Sequence, residues 1–338
     1  MTASAFICGA SGPTLTADEI AFFRDARPWG FILFRRNCET PEQIRALTAA
    51  MREAVGRDAP ILIDQEGGRV QRLGPPQWPA YPTGRTYGDV FARSRDEGSR
   101  AAWLGARLMA ADLLALGIDV DCLPVLDVPV EGAHDVIGHR AYGVTPDVVS
   151  ELGRAAAEGL LAGGVLPVIK HIPGHGRAGV DSHHHLPVVD TPRAELEATD
   201  FPPFRDAAAM PLAMTAHVVY TALDPDRPAT TSKTVIDEVI RGFIGFDGCL
   251  MSDDVSMQAL SGSIGERTAA ALATGCDLAL HCNGVLAEMV EVAKNAPALA
   301  GRAAARADRA LSARRRPEPL DEAAARAEFA RLTAAPSV

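Results

Sequence analysis

The sequence is short of lysine, of aromatic side chains and of long hydrophobic runs, and it has no excess of positive charge. Its 338 residues hold 33 lysines and arginines against 43 aspartates and glutamates, a formal net charge of −10. Proteins that bind nucleic acid or anionic membrane surfaces need a basic surplus, so we expect neither partner. No run of about 18 apolar residues occurs, and the N-terminal MTASAFICGASG lacks a charged segment followed by a long apolar one, so we expect neither a membrane span nor a signal peptide.

The cysteines do not indicate disulfide chemistry. They are scattered, most of them lie in apolar segments, and no C-x-x-C pair or disulfide-like spacing is present. They are Cys8, Cys38, Cys122, Cys249, Cys276 and Cys282. This usage predicts a reduced, soluble, cytoplasmic protein.

Eight short apolar segments typical of β-strands recur along the chain, with helix-like segments between them. The strand candidates span 4–9, 30–34, 60–64, 120–128, 165–172, 212–219, 248–254 and 278–283. The helix candidates span 17–26, 41–55, 97–116, 146–164, 232–243 and 265–275. Strands that are apolar throughout and alternate with helices favour a parallel sheet covered on both faces. Eight such units predict an α/β fold of the (β/α)8 TIM-barrel type.

A doubly wound sheet is the alternative architecture for this pattern. Nucleotide-binding forms of that fold have G-x-G-x-x-G or G-x-x-x-x-G-K-[ST] after an early strand, and neither motif occurs here. The barrel is therefore favoured over the open sheet. We expect residues 1–300 to form the barrel as a single domain, and the Ala/Arg/Glu-rich residues 301–338 to form a helical extension packed on it.

Polar side chains follow the predicted strands at the points where the strands end. Catalytic residues of (β/α)8 barrels lie at the carboxyl ends of the strands. A single polar residue there is commonly a strand returning to water, whereas polar residues at six ends indicate a site. The strand-end residues are Asp64 with Gln65, Glu66 and Arg72, then Asp127, Lys170 with His171, His217, Asp253 with Asp254, and His281 with Asn283.

The densest of these segments is KHIPGHGRAGVDSHHHLP, residues 170–187, with five histidines. His171 and His175 have the i, i+4 spacing of a helical zinc pair. Pro173 and Gly174 lie between them and disfavour a helix, and no further ligands stand at zinc-site spacing. We therefore expect no metal and no organic cofactor.

An acid/base pair explains the spacing of this segment better than a metal site does. Asp181 and His183 are separated by one residue, so in an extended loop their side chains point to the same side. A carboxylate beside an imidazole fixes its tautomer and raises its pKa, which makes the protonated ring a general acid near neutral pH. A separate structural role for each histidine stays open from the residues alone.

Asp253 is a candidate carboxylate nucleophile, because it lies at a strand end between CLMS and Asp254. The alternative is that this doubled aspartate only caps a loop or a helix, which is a common use of such a pair.

Taken together, these segments resemble glycoside hydrolase family 3, in the form carried by bacterial NagZ-type β-N-acetylglucosaminidases. The similarity spans about residues 5–285, and the long histidine-containing segment is its most specific part. The matching segments are KHIPGHGRAGVDSHHHLP (170–187), IDQEGGRVQRL (63–73), VIGHRAYG (136–143), MTAHVVY (214–220), PATTSKTVI (228–236), MSDDVSM (251–257) and GCDLALHCN (275–283).

The resemblance implies a single-domain barrel that removes a terminal, non-reducing, β-linked N-acetylglucosamine with retention of configuration. Its expected substrates are peptidoglycan turnover fragments, in which GlcNAc is linked to 1,6-anhydro-N-acetylmuramic acid with or without the peptide. It implies Asp253 as the nucleophile and His183 as the acid/base, with Asp181 as its partner. The sugar-binding positions that it implies are Asp64, Arg72, Arg140, Lys170, His171 and, in support of the nucleophile, His217.

The chain departs from the family pattern at three places, and from its length we expect no second, sandwich-type domain of the kind found in many family 3 β-glucosidases. Thr231 stands where the family has leucine, and Ala141 and Tyr142 stand where serine and phenylalanine are more usual. A histidine proton donor carries no negative charge to repel phosphate, so a phosphorylase on the same site is one alternative. The other is a catalytically silent barrel that binds amino sugars. We expect a monomer.

Overall fold

The computed structural model describes residues 2–182 and 185–334, and within them it has a closed parallel β-barrel surrounded by helices. Going round the barrel, the strands follow in the order β1 (Ser4–Gly9), β12 (Leu278–His281), β11 (Cys249–Asp254), β9 (Leu212–Thr215), β7 (Leu166–Ile172), β6 (Val120–Asp121), β3 (Ile61–Ile63) and β2 (Pro28–Leu33). The paired neighbours run parallel, as in β1 with β2 and β11 with β12. The predicted (β/α)8 barrel is confirmed, and the doubly wound sheet is excluded because the sheet closes on itself.

Two small sheets outside the barrel pair β4 (Gln65–Gly67) with β5 (Val70–Gln71) and β8 (Val188–Val189) with β10 (Val219–Tyr220).

The α-helices are α1 (Ala17–Ala26), α2 (Pro41–Val55), α3 (Gly84–Arg93), α4 (Arg95–Leu114), α5 (Pro146–Ala162), α6 (Arg193–Thr199), α7 (Pro202–Asp206), α8 (Ile264–Thr274), α9 (Leu286–Asn295), α10 (Gly301–Ser312) and α11 (Glu322–Thr333). A π-helix spans Val235–Phe243, and short 3-10 helices span Arg35–Asn37, Gly138–Arg140 and Ala229–Thr231.

Side-chain caps define the starts of several helices. The Thr16 and Ser263 side chains each accept a hydrogen bond from the backbone of a glutamate three residues on, and that glutamate bonds back to the cap, which completes a capping box at α1 and α8. Thr40 caps α2 ahead of Pro41, whose fixed φ suits the first turn. These local signals fix where the chain leaves each strand and turns into a helix.

The fourth barrel strand is shorter than predicted. The apolar segment 120–128 predicts one long strand, but regular pairing is confined to Val120–Asp121. Pro124 has no N–H to donate to a ladder, so regular pairing cannot continue through it. Beyond it the chain keeps single contacts to β7, such as Leu126 N–H to the Lys170 carbonyl at 2.7 Å.

The C-terminal helices contact the barrel through arginines. Arg306 on α10 pairs with Asp247 at 2.7 Å and Asp277 at 3.3 Å. Arg326 on α11 pairs with Asp112 of α4 at 2.7 Å. The division of the chain into a barrel and an extension at residue 300 stays a prediction.

None of the helices in the described part of the chain is both long and apolar enough to span a membrane. All six cysteines are free thiols.

Candidate active site

The carboxyl ends of the barrel strands surround a cavity of about 270 Å³. Its wall contains six of the residues expected from the sequence, which come from separate segments of the chain. They are Asp64, Arg72, Arg140, Lys170, His171 and Asp253. The fold thus brings these side chains together at the end of the barrel where catalysis is expected.

Asp64 and Arg72 meet because the chain folds back on itself directly after β3. Strands β4 and β5 form an antiparallel hairpin whose turn contains Gly67 and Gly68, both with positive φ. A Cβ atom on Gly67 would lie 2.2 Å from the Pro82 carbonyl oxygen, so only glycine fits there. The hairpin returns Arg72 to Asp64, with 2.7 Å between Nη2 and Oδ2.

Five charged side chains form an ion-pair chain along one wall of the cavity, in the order Arg72, Asp64, Lys170, Glu66, Arg140. Lys170 Nζ lies 2.9 Å from Asp64 Oδ1 and 2.6 Å from Glu66 Oε1. The Glu66 carboxylate accepts from Arg140 Nε and Nη2, each at 2.8 Å. Cations and carboxylates alternate, so each buried charge has an opposite charge beside it.

These contacts keep the chain of charges ionised. Burial opposes ionisation of Asp64 and Glu66, but the neighbouring cations outweigh it. The pKa of Asp64 falls well below its ordinary value, chiefly through Lys170 and Arg72, and the pKa of Glu66 falls to about 2, chiefly through Arg140 and Lys170. Burial likewise opposes the charge on Lys170, and the two carboxylates raise its pKa above the ordinary value.

Replacing Lys170 by methionine is expected to lower the free energy of unfolding by roughly 3–5 kcal/mol near neutral pH, because it leaves buried carboxylates without their shared cation. The lowered pKa of Asp64 and Glu66 stabilises the fold above their unfolded-state pKa, and this contribution disappears as pH falls. The deficit of the variant should therefore shrink between about pH 4 and pH 2, as the pH falls from the unfolded-state pKa values towards the folded-state pKa of Glu66. Urea denaturation near pH 7 and near pH 2 measures it.

Lys233→Met is the matched control, since the Lys233 side chain is 70% exposed and pairs with Asp237 one helical turn away. Its effect should stay within about 0.5 kcal/mol. Equal small losses for the two lysine variants at both pH values would contradict the account of the ion-pair chain.

His171 lies on the cavity wall with its ring orientation fixed by Asp127. The Asp127 carboxylate is fully buried, lies 2.7 Å from His171 Nδ1, and accepts the backbone N–H groups of His171 and His175 at 3.2 and 2.7 Å. Burial opposes its ionisation, but His171 and these hydrogen bonds lower its pKa to about 2. An ionised carboxylate only accepts, so the proton is on His171 Nδ1 and Nε2 is left for the cavity.

Both Lys170 and His171 line the cavity, although consecutive residues of a regular strand point to opposite faces. The pairing of β7 with β9 shifts register between Lys170 and Ile172. A similar shift occurs in β11, between Met251 and Asp254, where Asp253 and Asp254 both line the cavity. Local strand irregularity therefore doubles the number of polar side chains that these two strands supply.

The two adjacent aspartates of β11 have different surroundings. Asp254 accepts from the backbone of Ser256 and Cys282 at 2.9 and 3.2 Å and from the Ser256 hydroxyl at 2.6 Å, so it caps the following turn. The Asp253 carboxylate accepts the Asp254 N–H at 2.8 Å and lies on the cavity wall. The cap role that the sequence left open thus fits Asp254, and the nucleophile role of Asp253 stays a prediction.

The proposed acid, His183, lies outside the described residues. Its expected partner Asp181 is half-buried in the loop just before Ser182, and Ser182 lines the cavity. Ser182 Oγ is 3.0 Å from Nε2 of the buried His175. The described part of this loop is therefore attached to the cavity wall immediately before residue 183.

His217 is fully buried and is not part of the cavity wall that the described residues form. Its Nδ1 lies 2.7 Å from Thr230 Oγ1 and its Nε2 lies 3.0 Å from the Asp254 carbonyl oxygen. Burial lowers its pKa, so the ring is held neutral. This placement favours support of the strand that carries Asp253 over contact with a substrate.

Two further side chains of the site were not selected from the sequence. Glu66 appears there only as one of several strand-end residues, and the partnership of Asp127 with His171 is not expressed in any spacing. Asp127 stands 44 residues before His171. Only the closure of the barrel places Asp127 beside His171.

In the part of the chain that the structure covers, no group of three or more histidine, cysteine, aspartate or glutamate side chains is arranged to hold a metal ion. His171 instead pairs with Asp127 and His175 with Ser182.

Comparison with known proteins gives consistent matches. The family described as the glycosyl hydrolase family 3 N-terminal domain matches residues 21–313. A protein named β-hexosaminidase from Chromobacterium violaceum is 41% identical over 277 residues, which are 81% of this chain and 77% of the relative. Another of that name, from Alkalilimnicola ehrlichii, is 40% identical over 279 residues, 81% and 79% of the two chains.

Solved structures of NagZ from Neisseria gonorrhoeae are similar over 99% of both chains at 31% identity. The zinc complex of that protein superposes with a TM-score of 0.88, and its complex with N-trifluoroacetyl-D-glucosamine with a TM-score of 0.83.

Proposed function

The chain belongs to glycoside hydrolase family 3 as a NagZ-type β-N-acetylhexosaminidase, and from that premise we propose that it removes terminal, non-reducing N-acetylglucosamine from peptidoglycan turnover fragments with retention of configuration. The resemblance seen in the sequence is confirmed at the level of family and enzyme class. The substrate, the stereochemistry and the roles of individual residues are the proposal.

One observation carries the proposal: in the barrel, Asp253 lies across the cavity from Asp64, a member of the ion-pair chain. In the strand order, three strands separate β11 from β3 in either direction, so Asp253 on β11 faces Asp64 directly after β3. A sugar ring bound by Asp64 and Lys170 on one wall would present its anomeric carbon to the other wall. This is the geometry that a nucleophilic carboxylate needs.

The reaction would proceed in two steps. The Asp253 carboxylate attacks the anomeric carbon, while His183, oriented by Asp181, donates its proton to the departing glycosidic oxygen. The resulting glycosyl ester on Asp253 is then hydrolysed by water, from which His183 takes a proton. Two displacements on one carbon restore the β configuration.

The charge balance of the cavity supports a neutral sugar. Arg72, Lys170 and Arg140 are each paired with Asp64 or Glu66, and the Asp253 carboxylate on the cavity wall offsets the one positive charge that these five groups leave over, so no net positive charge is left for an anionic ring. Paired carboxylates and cations suit hydroxyl groups, which donate to the former and accept from the latter. Recognition of GlcNAc hydroxyls by Asp64, Arg72, Arg140, Lys170 and His171 is therefore the proposed role of that wall.

Product analysis with GlcNAc linked to 1,6-anhydro-N-acetylmuramic acid tests the proposal. We expect release of free GlcNAc, first formed as the β anomer, with or without a stem peptide on the acceptor sugar. First formation of the α anomer would refute retention, and release from other β-GlcNAc substrates only would refute the proposed substrate.

The same assay run with and without inorganic phosphate separates hydrolysis from phosphorolysis. Formation of GlcNAc-1-phosphate in place of free GlcNAc would favour the phosphorylase, and GlcNAc binding without turnover of any β-GlcNAc substrate would favour the silent barrel.

We further propose that the protein is a monomer and that it lies in the reducing cytoplasm. The six free thiols support the reducing compartment. Light scattering of the purified protein tests the monomer.

A further inference from the structure

Glu66 makes the most contacts in the ion-pair chain, although it is not among the residues expected to bind the sugar. Its side chain is 3% exposed and its carboxylate pairs with both Arg140 and Lys170. Both guanidinium bonds are 2.8 Å long, in the two-pronged arrangement that fixes the plane of an arginine. Lys170 Nζ approaches the same carboxylate to 2.6 Å.

The three partners come from different parts of the chain. Glu66 is in the β4–β5 hairpin, Arg140 ends a short 3-10 helix after β6, and Lys170 is in β7. Arginine and lysine side chains have many rotamers, and ordering each of them costs conformational entropy. A single buried carboxylate that holds both cations pre-organises donors from two segments before any ligand arrives.

Counting the N–H bonds of Lys170 and Arg140 shows how many of them remain free to bind a ligand. An ammonium group has three N–H bonds, and Lys170 directs two of them at Asp64 and Glu66, which leaves one. A guanidinium group has five, and Arg140 directs two at Glu66 and one at the Val136 carbonyl, which leaves two. Glu66 therefore determines where the remaining N–H bonds point.

We propose that Glu66 is a positioning residue, which acts through Arg140 and Lys170 to aim their remaining N–H bonds at hydroxyl groups of the terminal sugar. This rests on the proposed function of the cavity and adds a residue to it. Glu66 takes no part in the bond making or breaking, so its removal should weaken hydroxyl recognition in the transition state without changing the chemistry at Asp253.

The test compares Glu66→Gln with wild type on nitrophenyl β-N-acetylglucosaminide and on its 3-, 4- and 6-deoxy analogues. Glutamine keeps the size and shape of the Glu66 side chain. Its amide NH2 group replaces a carboxylate oxygen, so it can no longer accept a hydrogen bond from one of the two cations. With the full sugar, kcat/KM should fall about 10- to 100-fold, the range for lost hydrogen bonds to charged groups. On the analogue that lacks the positioned hydroxyl, the same substitution should cost less than about threefold, because that contact is already absent.

An equal loss on all four substrates would overturn the proposal, since a merely structural role does not depend on a single hydroxyl. If Glu66→Gln does not fold, Glu66→Asp is compared with wild type on the same four substrates. Aspartate keeps the negative charge, but its side chain is one methylene too short to hold both cations. Glu42→Gln is the matched control, because Glu42 is exposed on α2 and pairs with Arg45 one turn away. The activity of Glu42→Gln should equal that of the wild type on all four substrates.

Failure of the proposed function is a separate result. Absence of wild-type turnover on the nitrophenyl substrate would refute the proposed function. The Glu66 comparison would then be made by calorimetry with GlcNAc and its deoxy forms, with the same expected dependence on one hydroxyl.

Discussion

Asp253→Ala is expected to lower kcat/KM on nitrophenyl β-N-acetylglucosaminide by about 10⁴-fold or more, because loss of the nucleophile removes the covalent path altogether. The carboxylate lies on the cavity wall and accepts the N–H of Asp254. Since the substitution shortens one side chain at the edge of the cavity and leaves the sugar-binding wall intact, we expect the thermal midpoint to change little and GlcNAc still to bind. Steady-state kinetics, thermal unfolding and calorimetry measure the three quantities.

Azide sharpens this prediction. Alanine vacates the space of the carboxylate, so azide can attack the anomeric carbon from the same face in a single displacement. The variant should then form the α-glycosyl azide, which wild type does not form by this route. Asp237→Ala is the control, since Asp237 of the π-helix is about half exposed and pairs with Lys233. Activity within tenfold of wild type in Asp253→Ala would remove this residue from the mechanism.

His183→Ala is expected to affect substrates according to their leaving groups. A sugar or alkyl aglycone needs a proton as it departs, so kcat/KM should fall about 10²- to 10⁴-fold. The aglycone of a dinitrophenyl glycoside departs as a stabilised phenolate anion and needs no proton. The kcat/KM on this substrate, which reports the first step, should therefore fall less than about tenfold. Its kcat should fall further, because the second step has lost its base, and added azide should restore it.

His185→Ala provides the matched control in the same loop. His185 is exposed, and its hydrogen bond to Asp181 uses the backbone N–H, which alanine retains. Its activity should stay near wild type on both substrates. Equal losses on the two substrates in His183→Ala would argue against the acid role.

The barrel was predictable because its signal is local and repeated. Eight apolar strand segments recur along the chain with six helix-like segments among them, so the prediction of a barrel tolerates an error in a single segment. The segment 120–128 is such an error, since apolar composition alone does not show that regular pairing is confined to Val120–Asp121. The site was predictable as a set for the same reason, because parallel strands must bring their carboxyl ends together.

The pairings inside the site were not predictable. A strand period of two predicts that Lys170 and His171 point to opposite faces, and only the register shift in β7 turns both to the cavity. The contacts of Glu66 with Arg140 and Lys170 span 74 and 104 residues along the sequence. Such contacts follow from barrel closure and hairpin geometry, which composition and spacing do not encode.

The most direct test of the central claim is to trap the glycosyl–enzyme and locate it. A fluorinated GlcNAc donor with a good leaving group suits this, because fluorine slows both oxocarbenium-like steps while the leaving group keeps the first step fast. Mass spectrometry of the proteolysed enzyme should show one glycosyl adduct, on the Asp253 carboxylate, and none in Asp253→Ala. An adduct on another residue, or turnover of the donor with no adduct at any time, would contradict the account.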